Sequence, residues 1–305
     1  MLRALAVSLV TLAVIVGPCV SAHAADGAPA ATEAAAAATG PALTPSALCQ
    51  QPSPNSLPLA SGEDSVAEAS LLELINQRRQ EAGASPVRME ESLRRAALLH
   101  AQLMVSNHGL EHQFPGESPL IHRVSDVSDL SLDRAAENIV DATCTRSADA
   151  TLMHSPPHRA NLLDARFNVV GVAAVWTQGR LYVVQDFGHA LPKNSVQDTA
   201  ILVARAVREL RASAGLAELE EFAPENLDEA ACEMAKGDHP AAHTIASGYT
   251  NRKVITYTQS RPEILPNSAQ SVLKSPDVRS FAVGSCYARS ATHPSGVYWV
   301  AILLE

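Results

Sequence analysis

The chain has 305 residues, with 32 acidic against 23 basic side chains and a formal net charge of −9. It contains no run of Lys or Arg and only 4% aromatic residues. It therefore lacks the basic footprint and the stacking surface of a nucleic-acid binder.

Residues 1–24 read as an export signal: Arg3 supplies the charge, Ala4 to Gly17 the apolar core, and Ala22-His23-Ala24 the cleavage site. The apolar run is shorter than the roughly 20 residues a membrane span needs, so no span is expected after cleavage. Cys19 follows Pro18 rather than the small residue of a lipoprotein box, so no lipid anchor is expected. From 25 to 62 the chain is rich in Ala, Pro, Ser and Thr, a leader too poor in large apolar groups to offset the entropy of ordering. Export places Cys49, Cys144, Cys232 and Cys286 in an oxidising compartment. Four cysteines allow three pairings; the simplest expectation joins Cys49 to Cys144 and Cys232 to Cys286, each within its own half.

Order is expected from Ser65, where Ser65-x-x-Glu68 reads as a capping box. Ala67, Leu71, Leu74, Ile75 and Arg78 then share one helical face, and Gly83 is a natural stop. A second helix is predicted from about Glu90 to Ser106, with Leu93, Ala97, Ala101 and Met104 inward and His100 a hydrogen-bonded core residue beside them. The stretch 112–132 reads as irregular, and His108, His122 and His154 as polar surface. In Ser155-Pro156-Pro157-His158 the prolines suit the first positions of a helix, where N–H groups lack partners anyway. They mount His158 rigidly at a helix entrance, while Leu162 and Leu163 anchor the segment. Residues 168–176 and 180–187 are predicted to form a hairpin of central strands about Gln178-Gly179.

Four pieces in order carry a family resemblance: Leu74-Ile75-Asn76-Gln77-Arg78-Arg79; the helix with His100 running on to Asn107 and His112; Ala136-Glu137-Asn138-Ile139; and Pro157-His158-Arg159. Over residues 65–190 the chain resembles the CAP or SCP superfamily (cysteine-rich secretory, antigen 5 and pathogenesis-related proteins), most of all its bacterial branch. The resemblance implies an α+β fold, a three-layer α-β-α sandwich over 63–190. It also implies a central cleft in which His112 matches the first family histidine, Glu137 the glutamate of the Glu-Asn-Ile motif, and His158 the second histidine. A further family glutamate follows a tryptophan; here Leu152 stands in the tryptophan position and Ser155 in that of the acid.

Two imidazoles and a carboxylate suit zinc or another divalent cation. A hydrogen-bonded His–Glu–His network that only organises loops is the other reading of the same trio. Several branches of the family are associated with sterol or fatty-acid binding, so the resemblance makes a lipid, a sterol or an extracellular protein the expected partner, and an aliphatic groove suits an acyl chain. Hydrolysis is the alternative from a different class, with Glu137 as base or His158 activating Ser155. No Gly-x-Ser-x-Gly or His-Glu-x-x-His pattern supports it, so binding is favoured over catalysis.

Residues 197–305 echo the first half. Val207 to Arg211 with Gly215, then Leu227, Ala231 and Ala235, then Phe281 to Gly284 and Val297 to Val300 repeat the helix, helix and hairpin order. No Glu-Asn-Ile or Pro-x-His-Arg occurs there, so this region is read as a degenerate CAP-like repeat that packs against or lids the first. His239 and His243 are spaced for chelation on a helix, but Gly237 and Pro240 break that geometry and favour a solvated loop.

Overall fold

The computed structural model describes Cys49, residues 62–242, Ile245, residues 248–249 and residues 252–305. The signal, the leader apart from Cys49 and Gly62, and His243 lie outside the described residues. Among the described residues no helix is long and apolar enough to cross a membrane.

The first half opens with β1 (Gly62–Glu63), α1 (Ser65–Glu81), β2 (Arg88–Met89) and α2 (Glu91–Asn107). The residue that caps α1 is Asp64, not Ser65. Its carboxylate accepts from the amides of Val66 (3.0 Å) and Ala67 (2.9 Å), two of the donors a helix start leaves unpaired. Arg79 rather than Arg78 is the buried arginine of α1. It donates to the carbonyls of Ser85, Leu162, Asp164 and Phe167, while Arg78 stays at the rim and pairs with Asp149 at 2.8 Å.

The stretch expected to be irregular contains α3 (Leu120–Val127), which buries Arg123 and Val124. Eight residues cannot support a helix alone; α3 exists because Val124 packs with Leu93, Ala96 and Leu132. Then follow β3 (Ser131–Ala142), α4 (Thr145–His154), α5 (Pro156–Leu163), β4 (Val169–Thr177) and β5 (Arg180–Leu191). The strands run β1-β4-β5-β3, and β2 pairs in parallel with β4.

Alternation along β4 builds the sandwich. Val170, Val172, Ala174 and Trp176 face α1, α4 and α5, whereas Ala173 and Val175 face α2. Gly171 lets α2 sit directly on the sheet: a Cβ there would overlap the carbonyl carbon of Leu93 and the amide of Arg94. Strand β3 is the far edge of the sheet, so side chains from the two opposite helical layers can meet over it.

The second half comprises α6 (Val196–Ser213), β6 (Glu220–Glu221), α7 (Leu227–Lys236), β7 (Lys253–Gln259), a further helix α8 (Asn267–Leu273), β8 (Ser280–Ala288) and β9 (Val297–Leu304). Its sheet runs β6-β8-β9-β7, with β6 parallel to β8. Residues of α6 and α8 pack on one face and those of α7 on the other. Disulfides join Cys49 to Cys144 and Cys232 to Cys286, as expected.

Candidate functional site

His112, Glu137 and His158 come together at the β3 edge. Glu137 lies on β3, on the sheet face that packs against α2 and α3. His158 is the third residue of α5, in the opposite layer. His112 comes from the loop after α2.

The double proline fixes the first turn of α5. Two amides tie that helix to the strand: Asn138 Nδ2 donates to the carbonyl of His158 at 3.0 Å, and Asn161 Nδ2 donates to Asn138 Oδ1, also at 3.0 Å. Asn138 is fully buried, so the neighbour of Glu137 in the Glu-Asn-Ile run positions the helix that carries His158.

The Nδ1–H of His112 donates to Glu137 Oε1 at 2.8 Å, and its ring centroid stands 6.3 Å from that of His158. The other Glu137 oxygen accepts from Arg123. Arg123 also donates to Glu117 Oε1 (2.8 Å) and to the carbonyl of His112 (3.1 Å). His100 Nδ1 lies 2.7 Å from Glu117 Oε1 and 2.9 Å from Arg123 Nη1. One nitrogen cannot donate to the carboxylate and accept from the guanidinium together, so we place a proton on Nδ1, directed at Glu117. His100 is thus the hydrogen-bonded core residue expected from the sequence.

Asp186 completes the cluster. It sits directly across the strand pair from Glu137, it is fully buried, and neither carboxyl oxygen has a hydrogen-bond partner among the described residues. Burial first, and the Glu137 charge second, push its carboxyl well above the ordinary range, so Asp186 is a neutral acid in the fold. Hydrogen bonding to Glu137 raises the pKa of His112. Burial, then the neighbouring His112, lowers that of His158.

With both oxygens committed to His112 and Arg123, Glu137 orients His112 in this arrangement. Among the described residues no group of three His, Cys, Asp or Glu side chains is arranged to hold a metal ion; what remains is the pair His112 and His158, with His112 Nε2 and the His158 ring nitrogens unengaged among them. Ser155 caps α5 with extended backbone, and among the described residues its hydroxyl makes no hydrogen bond to His158. Sequence reasoning missed Arg123, Glu117 and Asp186. The one signal available was Asp186 itself, an acid in the Val-Val-Gln-Asp-Phe run of a strand expected to be central.

The fold and this cluster define an α+β sandwich with a His–Glu–His group at the open edge of its first sheet. Residues 72–187 match the cysteine-rich secretory protein (CAP) family, and this part of the chain is a CAP/SCP-superfamily domain. A relative in Bacillus subtilis (strain 168), described as the uncharacterized protein YkwD, is 29% identical over 130 residues, 41% of this chain and 50% of that protein. The chain thus spans about half the length of that curated relative.

Among solved structures, an extracellular protein containing an SCP domain from Bacillus anthracis str. Ames is 22% identical, covers 44% of this chain and 45% of its own, and superposes with a TM-score of 0.39. Na-ASP-1 is 9% identical, covers 80% of this chain and 90% of its own, with a TM-score of 0.46.

Proposed function

We propose that this chain is an exported binding module that takes a divalent cation, with zinc as its probe, between the free imidazole nitrogens of His112 and His158. The observation that supports this most directly is the state of the two rings. His112 uses Nδ1 toward Glu137, which leaves Nε2 as a lone-pair donor. The His158 ring has no hydrogen-bond partner among the described residues, and its lowered pKa keeps it in the neutral form a metal needs.

Two imidazoles on one tetrahedral zinc have centroids about 5 Å apart, given Zn–N bonds near 2.0–2.1 Å. The 6.3 Å separation is about 1 Å longer, a gap that a shift of the His112 side chain, 58% exposed, would have to close. Glu137 then acts as the carboxylate that fixes the tautomer and aim of a ligating histidine. A bound ion would tie α5 to the loop after α2 and offer open positions to an anionic or carbonyl ligand. The disulfides fit an oxidising, extracytoplasmic setting.

Calorimetric titration of zinc into the metal-stripped, disulfide-intact full chain tests the reading. One site is expected, lost in His112→Ala and in His158→Ala, and weakened about 10- to 100-fold in Glu137→Gln. Equal zinc uptake by the wild type and the double histidine variant overturns it.

A further inference from the structure

The scaffold of the first half recurs in the second without its chemistry. Arg211 is fully buried like Arg79 and makes matching bonds. Each guanidinium donates from Nε to the carbonyl six residues on, Ser85 or Ala217. Each donates from Nη1 to two carbonyls at the end of a short helix, Leu162 and Asp164 or Leu273 and Ser275. Gly284 admits Leu227 of α7 as Gly171 admits Leu93 of α2.

Superposing those glycines places Thr256 and Ala301 where the first half has Glu137 and Asp186. The parallel strand pairs β2/β4 and β6/β8 set a register two residues over, which places Val254 and Leu303 there instead. Neither register supplies an acid. Counting back four residues from Leu162 and from Leu273 sets Ala269 opposite His158, and Ala269 is buried.

What the second half does contribute is a grip on α3, the helix that carries Arg123. Arg289, just after β8, donates to the carbonyl of Ser125 at 2.8 Å and to that of Ser128. These groups lie at the α3 C-terminus, where carbonyls lack intrahelical partners and a cation is favoured. Ser295 Oγ meets Ser125 Oγ at 3.0 Å in a buried contact. Two residues before Ser125, Arg123 holds both Glu137 and Glu117. The chain of contacts runs from Arg289 through α3 and Arg123 to Glu137 and then His112.

We propose that the C-terminal half is a CAP-like copy without a site of its own, and that it holds the first half's site in register, with Arg289 and Ser295 as positioning residues acting through α3. It is a brace, not a lid. The brace concerns the same His112–Glu137 site as the cation reading, but it depends on hydrogen bonds within the protein and not on the ion.

The test uses the full-length protein with nitrogen-15 in its histidine rings, metal-free and at fixed pH. Arg289→Ala is expected to move the His112 ring signals toward those of an exposed histidine, Arg289→Lys to restore them in part, and Ser295→Ala to shift them less. Tyr249→Phe removes a hydroxyl bond to the Glu225 carbonyl in the same half, away from α3, and leaves the His112 signals in place. In zinc titration, Arg289→Ala weakens binding by a factor between about 2 and 30, the usual range of such coupling. It adds nothing further in an Arg123→Gln background, because it acts through that side chain.

His112 signals that superpose on the wild type in Arg289→Ala overturn the brace, even if the melting temperature falls. Should Arg289→Ala fail to fold, Ser295→Ala, which deletes one oxygen, decides in its place. Should the wild type take up no zinc, the cation reading fails, while the ring signals still decide the brace.

Discussion

Replacing Asp186 by Asn is expected to stabilise the protein at neutral pH. The wild-type carboxyl is fully buried, has no hydrogen-bond partner among the described residues, and faces Glu137 across the strand pair. Its folded pKa lies well above the reference 3.8. Between 3.8 and that raised value the folded state holds a proton that the unfolded state has released. Stability therefore falls as pH rises through the window, by about 1.4 kcal/mol per pH unit.

Asparagine keeps the shape and never ionises. The stability difference between Asp186→Asn and wild type should be near zero at about pH 4, widen at that slope, and level off at the folded pKa. Because Asp186 is 0% exposed, no solvent screening narrows the window, and the slope itself is set by the one proton bound. Urea unfolding of the chelator-treated proteins over a pH series measures it. A difference that does not grow with pH, or a variant less stable than wild type throughout, would refute the neutral-acid assignment.

Three further outcomes follow from the same geometry. Opening the Cys232–Cys286 bridge, which spans a sequence separation of 54, with a double Ser replacement should cost about 4 kcal/mol by loop-closure entropy, read as a lower urea midpoint. Gly171→Ala should cost about 3 kcal/mol or more, because the added carbon meets the backbone of Leu93 and Arg94, which cannot rotate aside; a melting temperature within error of wild type would contradict the packing described. Zinc affinity should fall with pH beginning above 6.5, because hydrogen bonding to Glu137 raises the pKa of His112 and protons compete for its ring. In Glu137→Gln the midpoint of that fall should move down, and an unmoved midpoint in a pH-dependent competition titration would show that Glu137 does not control the ring.

Elements whose apolar period repeats over many residues were legible in the sequence. The long helices α1 and α2 and the β4–β5 hairpin stand where that pattern placed them. Helix α3 was not legible. It has barely two turns, its C-terminal end is held by Arg289 from the other half of the chain, and Arg123 in its middle pairs with Glu137 of β3. The choice between Arg78 and Arg79 turned on which side chain reaches the carbonyls of Leu162, Asp164 and Phe167, which no periodicity reveals.

At the site, short motifs name His112, Glu137 and His158. The ion-pair network beneath them rests on Glu117 and Arg123, which fall in a stretch without pattern. It rests also on the β3–β5 register that sets Asp186 against Glu137.

X-ray absorption at the zinc edge of the stoichiometric complex tests the central claim most directly. The account predicts two imidazole nitrogens at about 2.0–2.1 Å with the remaining positions filled by oxygen, and no stoichiometric complex with His158→Ala. A spectrum with a single imidazole, or one unchanged by that substitution, would contradict it.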